Sequence, residues 1–304
     1  MSDARDHHIV SQFYLRNFAT DEARTKVMAL AKEEGGVAVW KERSIKGIGY
    51  ERDFYVHAVE GRPVSVETDI NRSVETPISM SDTWAKIVAG RSADLDASDR
   101  PILYSLVRHL EARTPHSQQI QGELAAMAAD PMSAIEFSEE ERELYAFMRS
   151  NPSSAKALFN ARAAHSFVDA YDRSLILVVR SPIPVRTSTA PVVAMSIPAH
   201  PAIDLPLPGM VPLQRLLAVD PHTLVSVVVG DFGGTFDNIE LPQDDVAHGY
   251  NRRVAAHFSQ FPMVRHMVCG SDRLVEDMTW APYDLIAKTP AKIVFKRRPD
   301  DAGR

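Results

Sequence analysis

The chain has 304 residues, 45% of them hydrophobic and 24% charged, with a formal net charge of −6. Those values sit on the averages of soluble globular proteins and argue against a protein whose whole surface grips nucleic acid. A single cysteine, Cys269, excludes an intramolecular disulfide, no apolar signal region opens the chain, and the longest apolar runs, LILVV and LVSVVVG, are strand-length, so a cytoplasmic protein with no membrane partner is expected.

The first element is HHIVSQFYLRNFAT, residues 7–20. On a helical wheel Ile9, Val10, Phe13, Tyr14 and Phe18 share an apolar arc, while His8, Gln12 and Arg16 fall on one polar stripe. This predicts a short amphipathic helix entered through an extended stretch at the histidines. KVMALAKEEGGVAVWKER alternates on both sides of Gly35 and Gly36, the pattern of a β-hairpin. From about Val64 the period changes to nearly four. Val66, Ile70 and Val74 form one stripe there, and Glu67, Asn71 and Glu75 the next. Pro77 is expected to interrupt this helix, and a second follows with Ser81 or Asp82 as cap and Gly90 as stop. ASDRPILYSLVRHLEARTP gives the clearest helix, capped by Ser98, with Pro101 in its first turn and Pro115 ending it. Ile102, Leu106 and Leu110 line its apolar face, widened by Leu103 and Val107. Helices are also expected at 139–150 and 153–171.

Between Pro182 and Pro212 stand eight of the 20 prolines, which excludes long helices there. SLILVVRS, PVVAMSIP and TLVSVVVG read as strands, Gly233 and Gly234 as a hairpin turn, and residues 245–261 as a closing helix. The expected fold class is α+β, with a predominantly helical core, an N-terminal β-hairpin and a proline-rich β region in the C-terminal half. One domain spans 1–304, its hairpin and helical part about 1–173 and its β region with the closing helix about 174–304.

No P-loop, GxSxG, HExxH or paired Cys/His ligand spacing is present. Glu67 and Glu75 are eight residues apart, about 12 Å along a helix axis, too far to hold one metal through that helix alone. Each can join a site completed by other helices, or belong to a solvated face. His8 precedes a helix; its ring can act as a base, ligate a metal, or fix the entrance of the segment. Arg108 and Glu111 are i,i+3 partners, and His109 beside them reads as a surface or hydrogen-bonded residue. His165, His257 and His266 lie in apolar patterns that suit packing.

HHIVSQFYLRNFA resembles the opening signature of the bacterial domain-of-unknown-function family 4238, a histidine followed by Q-F-Y-L-R-N-F. IKGIGYERDFYV is similar to that family's segment leading to an aromatic pair, here Phe54 and Tyr55. Glu67 and Glu75 match its two spaced acidic positions, and VRHLEARTP its helix ending in R-T-P, here Arg113, Thr114 and Pro115. VRTSTAPVV resembles its S-D-x-P-V turn with Thr189 where the family has an acid, and LAVDPHTLV its following strand. The likeness spans nearly the whole chain and implies no activity. It does mark His8, Glu67, Glu75 and Arg113 as candidate catalytic residues, and Gln12, Tyr14, Arg16 and Asn17 as candidate binding residues.

The leading expectation is a non-catalytic binding or regulatory module in a mobile-element or host-defence context. Its site would lie in the proline-rich β region, where an exposed apolar patch around IPAHPAIDLPLPGMVP would support it, and a protein partner or a homo-oligomer is the expected association. The alternative is a phosphodiesterase- or nuclease-like hydrolase. His8 would then be base or ligand, Glu67 and Glu75 acid/base or metal-binding groups, and Arg113 or Arg16 the anion stabiliser, with a divalent metal as its cofactor. A purely structural, oligomerising role is the third reading.

Overall fold

A computed structural model describes residues 6–52, 56–59, 62–65, 67–114, 122–123, 125–130, 132, 136–151, 171–196, 213–240, 245–270 and 273–299. The chain enters as strand β1 (Asp6–His8), then folds into the short helix α1 (Gln12–Leu15) and a 3₁₀ turn (Arg16–Phe18). Strands β2 (Lys26–Glu33) and β3 (Val37–Ser44) form the expected hairpin, in register from Lys26 opposite Ser44 to Glu33 opposite Val37. Gly35 and Gly36 turn it with φ of 69° and 72°, a left-handed backbone that side chains with a Cβ resist. Strand β4 (Tyr50–Arg52) pairs with β1, and β5 (Val56–Val59) pairs with β6 (Arg62–Ser65).

Helix α2 (Glu67–Ile70) runs through a π turn (Asn71–Glu75) into α3 (Thr76–Ser79). Pro77, expected to interrupt this helix, instead lies in the first turn of α3. The wider π turn before it shifts the bonding register, so the missing N–H falls where no partner is needed. Helix α4 (Asp82–Val88) has Ser81 as cap, its side chain accepting from the Trp84 N–H. Helix α5 (Arg100–Ala112) starts one step later than Ser98 would place it. Asp96 caps the preceding 3₁₀ turn, and the Asp99 carboxylate accepts from Thr83 Oγ1 at 2.7 Å and Lys86 Nζ at 2.8 Å. The buried face of α5 is Leu103, Leu106, Val107 and Leu110, with Ile102 only partly covered. Helix α6 (Glu139–Ser150) follows as expected; residues 153–170, His165 and the segment 197–212 lie outside the described residues.

The remaining elements are β7 (Ser174–Arg180), β8 (Thr187–Ser188), β9 (Val192–Ser196), β10 (Leu213–Asp220), β11 (Thr223–Val229), β12 (Phe236–Glu240), α7 (Asp245–Gln260), β13 (His266–Val268), α8 (Leu274–Trp280), β14 (Tyr283–Thr289) and β15 (Lys292–Arg297). A six-stranded sheet has the order β14-β15-β3-β2-β13-β8, and a five-stranded sheet the order β12-β7-β11-β10-β9. The expectation of a predominantly helical core is thereby corrected. These two sheets frame a mixed α+β fold, and their side chains share one hydrophobic cluster with helix residues such as Leu106, Tyr250 and Phe258. Long-range pairing misled the periodicity. The N-terminal hairpin pairs with β15 and β13 from the far end of the chain, and β8 and β13 are only two and three residues long.

The turn at Gly233 and Gly234 is not a hairpin. It carries the chain from β11 past β7 to β12, which lies parallel to β7 on its other side. A Cβ at Gly234 would stand 2.9 Å from Arg100 Nη1, which explains the glycine. Helix α5 packs across β7, β9, β10 and β11, so β11 is buried along most of its length and reads as a continuous apolar run rather than an alternating one. Cys269 is buried, and burial pushes its thiol up to about 11, an unreactive group. No helix among the described residues is long and apolar enough to cross a membrane.

Candidate functional site

Strand alternation decides which histidine faces the core. In β1, His7 stands opposite Glu51 and His8 opposite Tyr50, so their side chains point to opposite faces. His7 is fully buried with Nε2 3.7 Å from Glu67 Oε2. His8 turns outward, where its Nε2 lies 3.0 Å from the Gln12 amide nitrogen. The sequence pattern selected His8; the inward ring belongs to His7. What His8 brings to the interior is its backbone carbonyl.

That carbonyl accepts from Nη2 of Arg113. Arg113 sits just after α5, is 1% exposed, and points back at the N-terminal segment. Its Nη1 contacts Glu75 Oε1 and donates to Ser11 Oγ at 2.9 Å. Ser11 occupies the cap position of α1 without capping it; its hydroxyl donates to Glu75 Oε1 at 2.7 Å instead. His109 Nε2 stands 3.2 Å from the same carboxylate oxygen and 3.0 Å from Arg113 Nη1. A neutral ring at that place donates from Nε2 to Glu75. The other tautomer would leave a buried N–H on Nδ1, which has no hydrogen-bond partner. Burial holds the His109 pKa down at about 3, so the ring is neutral across the physiological range.

Glu75 and Arg113 are therefore brought together, with Ser11 and His109 as additional members. Of the two readings of His109, surface or hydrogen-bonded, the structure gives the second, in a fully buried position. Its i,i+4 spacing from Arg113 was the available signal, because that spacing stacks two side chains on one helix face. Glu67 does not join Glu75; the π turn separates them and Glu67 faces His7. Among the described residues no group of three or more His, Cys, Asp or Glu side chains is placed to hold a metal ion. The carboxylate best placed for one, Glu75, already accepts from three donors. The arrangement can hold the N-terminal segment against α5 and the π turn; its charge-assisted hydrogen bonds are short and directional.

The candidate binding residues divide. The Tyr14 hydroxyl is buried, donates to the Ala218 carbonyl at 2.6 Å and accepts from Thr187 Oγ1 at 2.6 Å, and burial raises its pKa well above that of a free phenol. It ties α1 to both sheets. Gln12 is engaged with His8. Asn17 and Arg16 line a cleft of about 700 Å³ with Arg24, Arg180, Asp220 and His222. There Asn17 donates to the Val219 carbonyl at 2.9 Å and accepts from Arg24 Nη2 at 2.6 Å. Arg180 pairs with Glu240 at 3.1 Å. Arg16 is exposed, and its guanidinium has no partner among the described residues.

Thr189 occupies the turn position where the resembling family has an acid. Its Oγ1 accepts from the backbone N–H groups of Arg265 at 3.0 Å and His266 at 3.3 Å. An acceptor is what that turn uses, and a hydroxyl supplies it. Phe54, Tyr55 and Pro115 lie outside the described residues. No curated protein and no solved structure matches the chain. Residues 6–223 match the family described as "Protein of unknown function (DUF4238)", a span that takes in Ser11, Glu75, His109 and Arg113 as well as most of the cleft. The chain therefore belongs to the DUF4238 family.

Proposed function

We propose that the protein is a non-catalytic binding module that takes a charged polypeptide segment of a partner in the cleft beside Arg16 and Asn17. The carrying observation is the contrast between two sets of charges. In the buried set, Glu75 and Arg113 bind each other, and burial keeps His109 from taking a proton above a pH of about 3. A general base needs a pKa near the working pH and reach to a substrate, and this ring has a depressed pKa and a fully buried position. In the cleft, by contrast, Arg16 is open to solvent, as is Glu22 on the same wall. Both signs of charge line one concavity of a size that suits a ligand site. Asn17 and Arg24 are held in place by their own hydrogen bonds, which favours a preformed site.

A fluorescent peptide of alternating lysine and glutamate, titrated into the full chain, tests this. Binding is expected, and the double variant Arg16→Glu, Arg24→Gln should weaken it about tenfold, or about 1.4 kcal/mol, at low salt. Equal affinity in the variant, or turnover of a phosphodiester substrate that is lost in His109→Ala, would count against the reading.

A further inference from the structure

A second cavity, of about 250 Å³, opens between the segment 183–186, ahead of β8, and helices α7 and α8. Among the described residues its polar lining is Arg186, His248, Asn251, Arg273 and Asp277. We propose that it is a binding site for a small molecule bearing one oxyanion group, a carboxylate or a phosphate. It lies apart from the Arg16 cleft and does not rest on the function proposed above.

Arg186 carries the argument. It is 3% exposed, and its Nη1 lies 2.5 Å from Asp277 Oδ2, on a side chain that is itself nearly buried. Nη1 forms this ion pair but is buried without a hydrogen-bond partner among the described residues. A buried guanidinium has five donors to satisfy, and one carboxylate contact at Nη1 leaves those on Nε and Nη2 for a ligand. Placing a cation in so dry a position is costly unless partners repay it. The wall is stiff. Asn251 accepts from the Arg186 backbone N–H at 2.9 Å and donates to the Pro184 carbonyl at 3.0 Å, fixing α7 to the segment that leads into β8.

On the opposite wall Arg273 reaches His248, its Nη1 against the ring Nε2. Among the described lining residues two arginines stand against one acid. A guanidinium fork matches the paired oxygens of carboxylate and phosphate alike. The volume admits that group and a small organic body, not a nucleotide. Four of the five polar residues, His248, Asn251, Arg273 and Asp277, follow residue 223, beyond the segment matched to the family.

Inorganic phosphate and acetate, each titrated against chloride at equal ionic strength and followed by calorimetry and thermal unfolding, provide the test. Saturable binding of either anion is expected, with a rise in melting temperature that chloride does not produce. Binding of phosphate alone would assign a phosphate ester, and binding of acetate alone a carboxylate. Arg273→Gln, at the rim, should fold normally and weaken binding about tenfold, the scale of a charge-assisted contact. Arg186→Gln should abolish binding, but it also strips Asp277 of its partner, so the rim variant is the deciding one. No response beyond that of chloride to either anion, or undiminished affinity in Arg273→Gln, overturns the proposal.

Discussion

Arg113→Ala is expected to lower the unfolding free energy by about 3–5 kcal/mol, the range for removing one partner of a buried ion pair. The loss is large because domains of this kind hold only about 5–15 kcal/mol in all. It has three sources. The Glu75 carboxylate is left without its cation, the His8 carbonyl loses its donor, and a cavity opens where one of the largest fully buried side chains stood. Arg113→Lys should recover only part of the loss. A single ammonium cannot reach Glu75, Ser11 and the His8 carbonyl as the planar fork does. Urea unfolding at neutral pH measures both variants. A change in Arg113→Ala below about 0.5 kcal/mol, the usual size for a surface substitution, would show that the N-terminal segment is held by other means.

The second large effect is on acid stability. Burial lowers the pKa of His109 to about 3 and that of His266 to about 4; for His266 the charges of Arg43 and Arg265 add to the burial. Both rings are neutral in the fold, whereas the unfolded chain takes up protons below about 6.5. The stability tied to them is therefore fully present above that value. It is lost progressively as the pH falls toward the folded values. Between pH 7 and pH 5 the two together should remove about 4 kcal/mol, each at about 1.4 kcal/mol per pH unit below 6.5. Denaturant midpoints at the two pH values check this, and His266→Phe should flatten the dependence by about half. A midpoint constant over this range would contradict the burial of both rings.

Local pattern and long-range pairing were not equally visible in the chain. The hairpin at Gly35 and Gly36 was legible because period-two alternation and a left-handed turn agree at one place. Helix α5 was legible for a similar reason, its apolar stripe starting at a proline in the first turn. Three strands of the five-stranded sheet were legible as apolar runs, but the six-stranded sheet was not, because its hairpin pairs with strands more than 200 positions away and such pairing leaves no local periodicity. Strand β14 is exposed along nearly its whole length and shows no buried face to read.

The site followed the same division. Glu75 and Arg113 could be found from their elements, but Ser11 carries no local signal, since its hydroxyl bonds Glu75, 64 positions away in the chain. His8 was chosen over His7 because a helical wheel was laid across residues that pair as a strand. A period of two in place of 3.6 exchanges the faces of adjacent residues.

The claim that matters most is that the His, Glu and Arg side chains form a buried clamp on the N-terminal segment rather than a reactive centre. The ring of His109, followed by carbon and nitrogen chemical shifts as the pH is lowered, tests it most directly. The account predicts a neutral ring, protonated at Nε2 and unchanged from pH 8 down to about pH 5, consistent with a pKa near 3. A ring that titrates with a midpoint near 6.5, the value of a solvent-reachable histidine, would contradict it and make His109, beside Glu75, a candidate for acid–base chemistry.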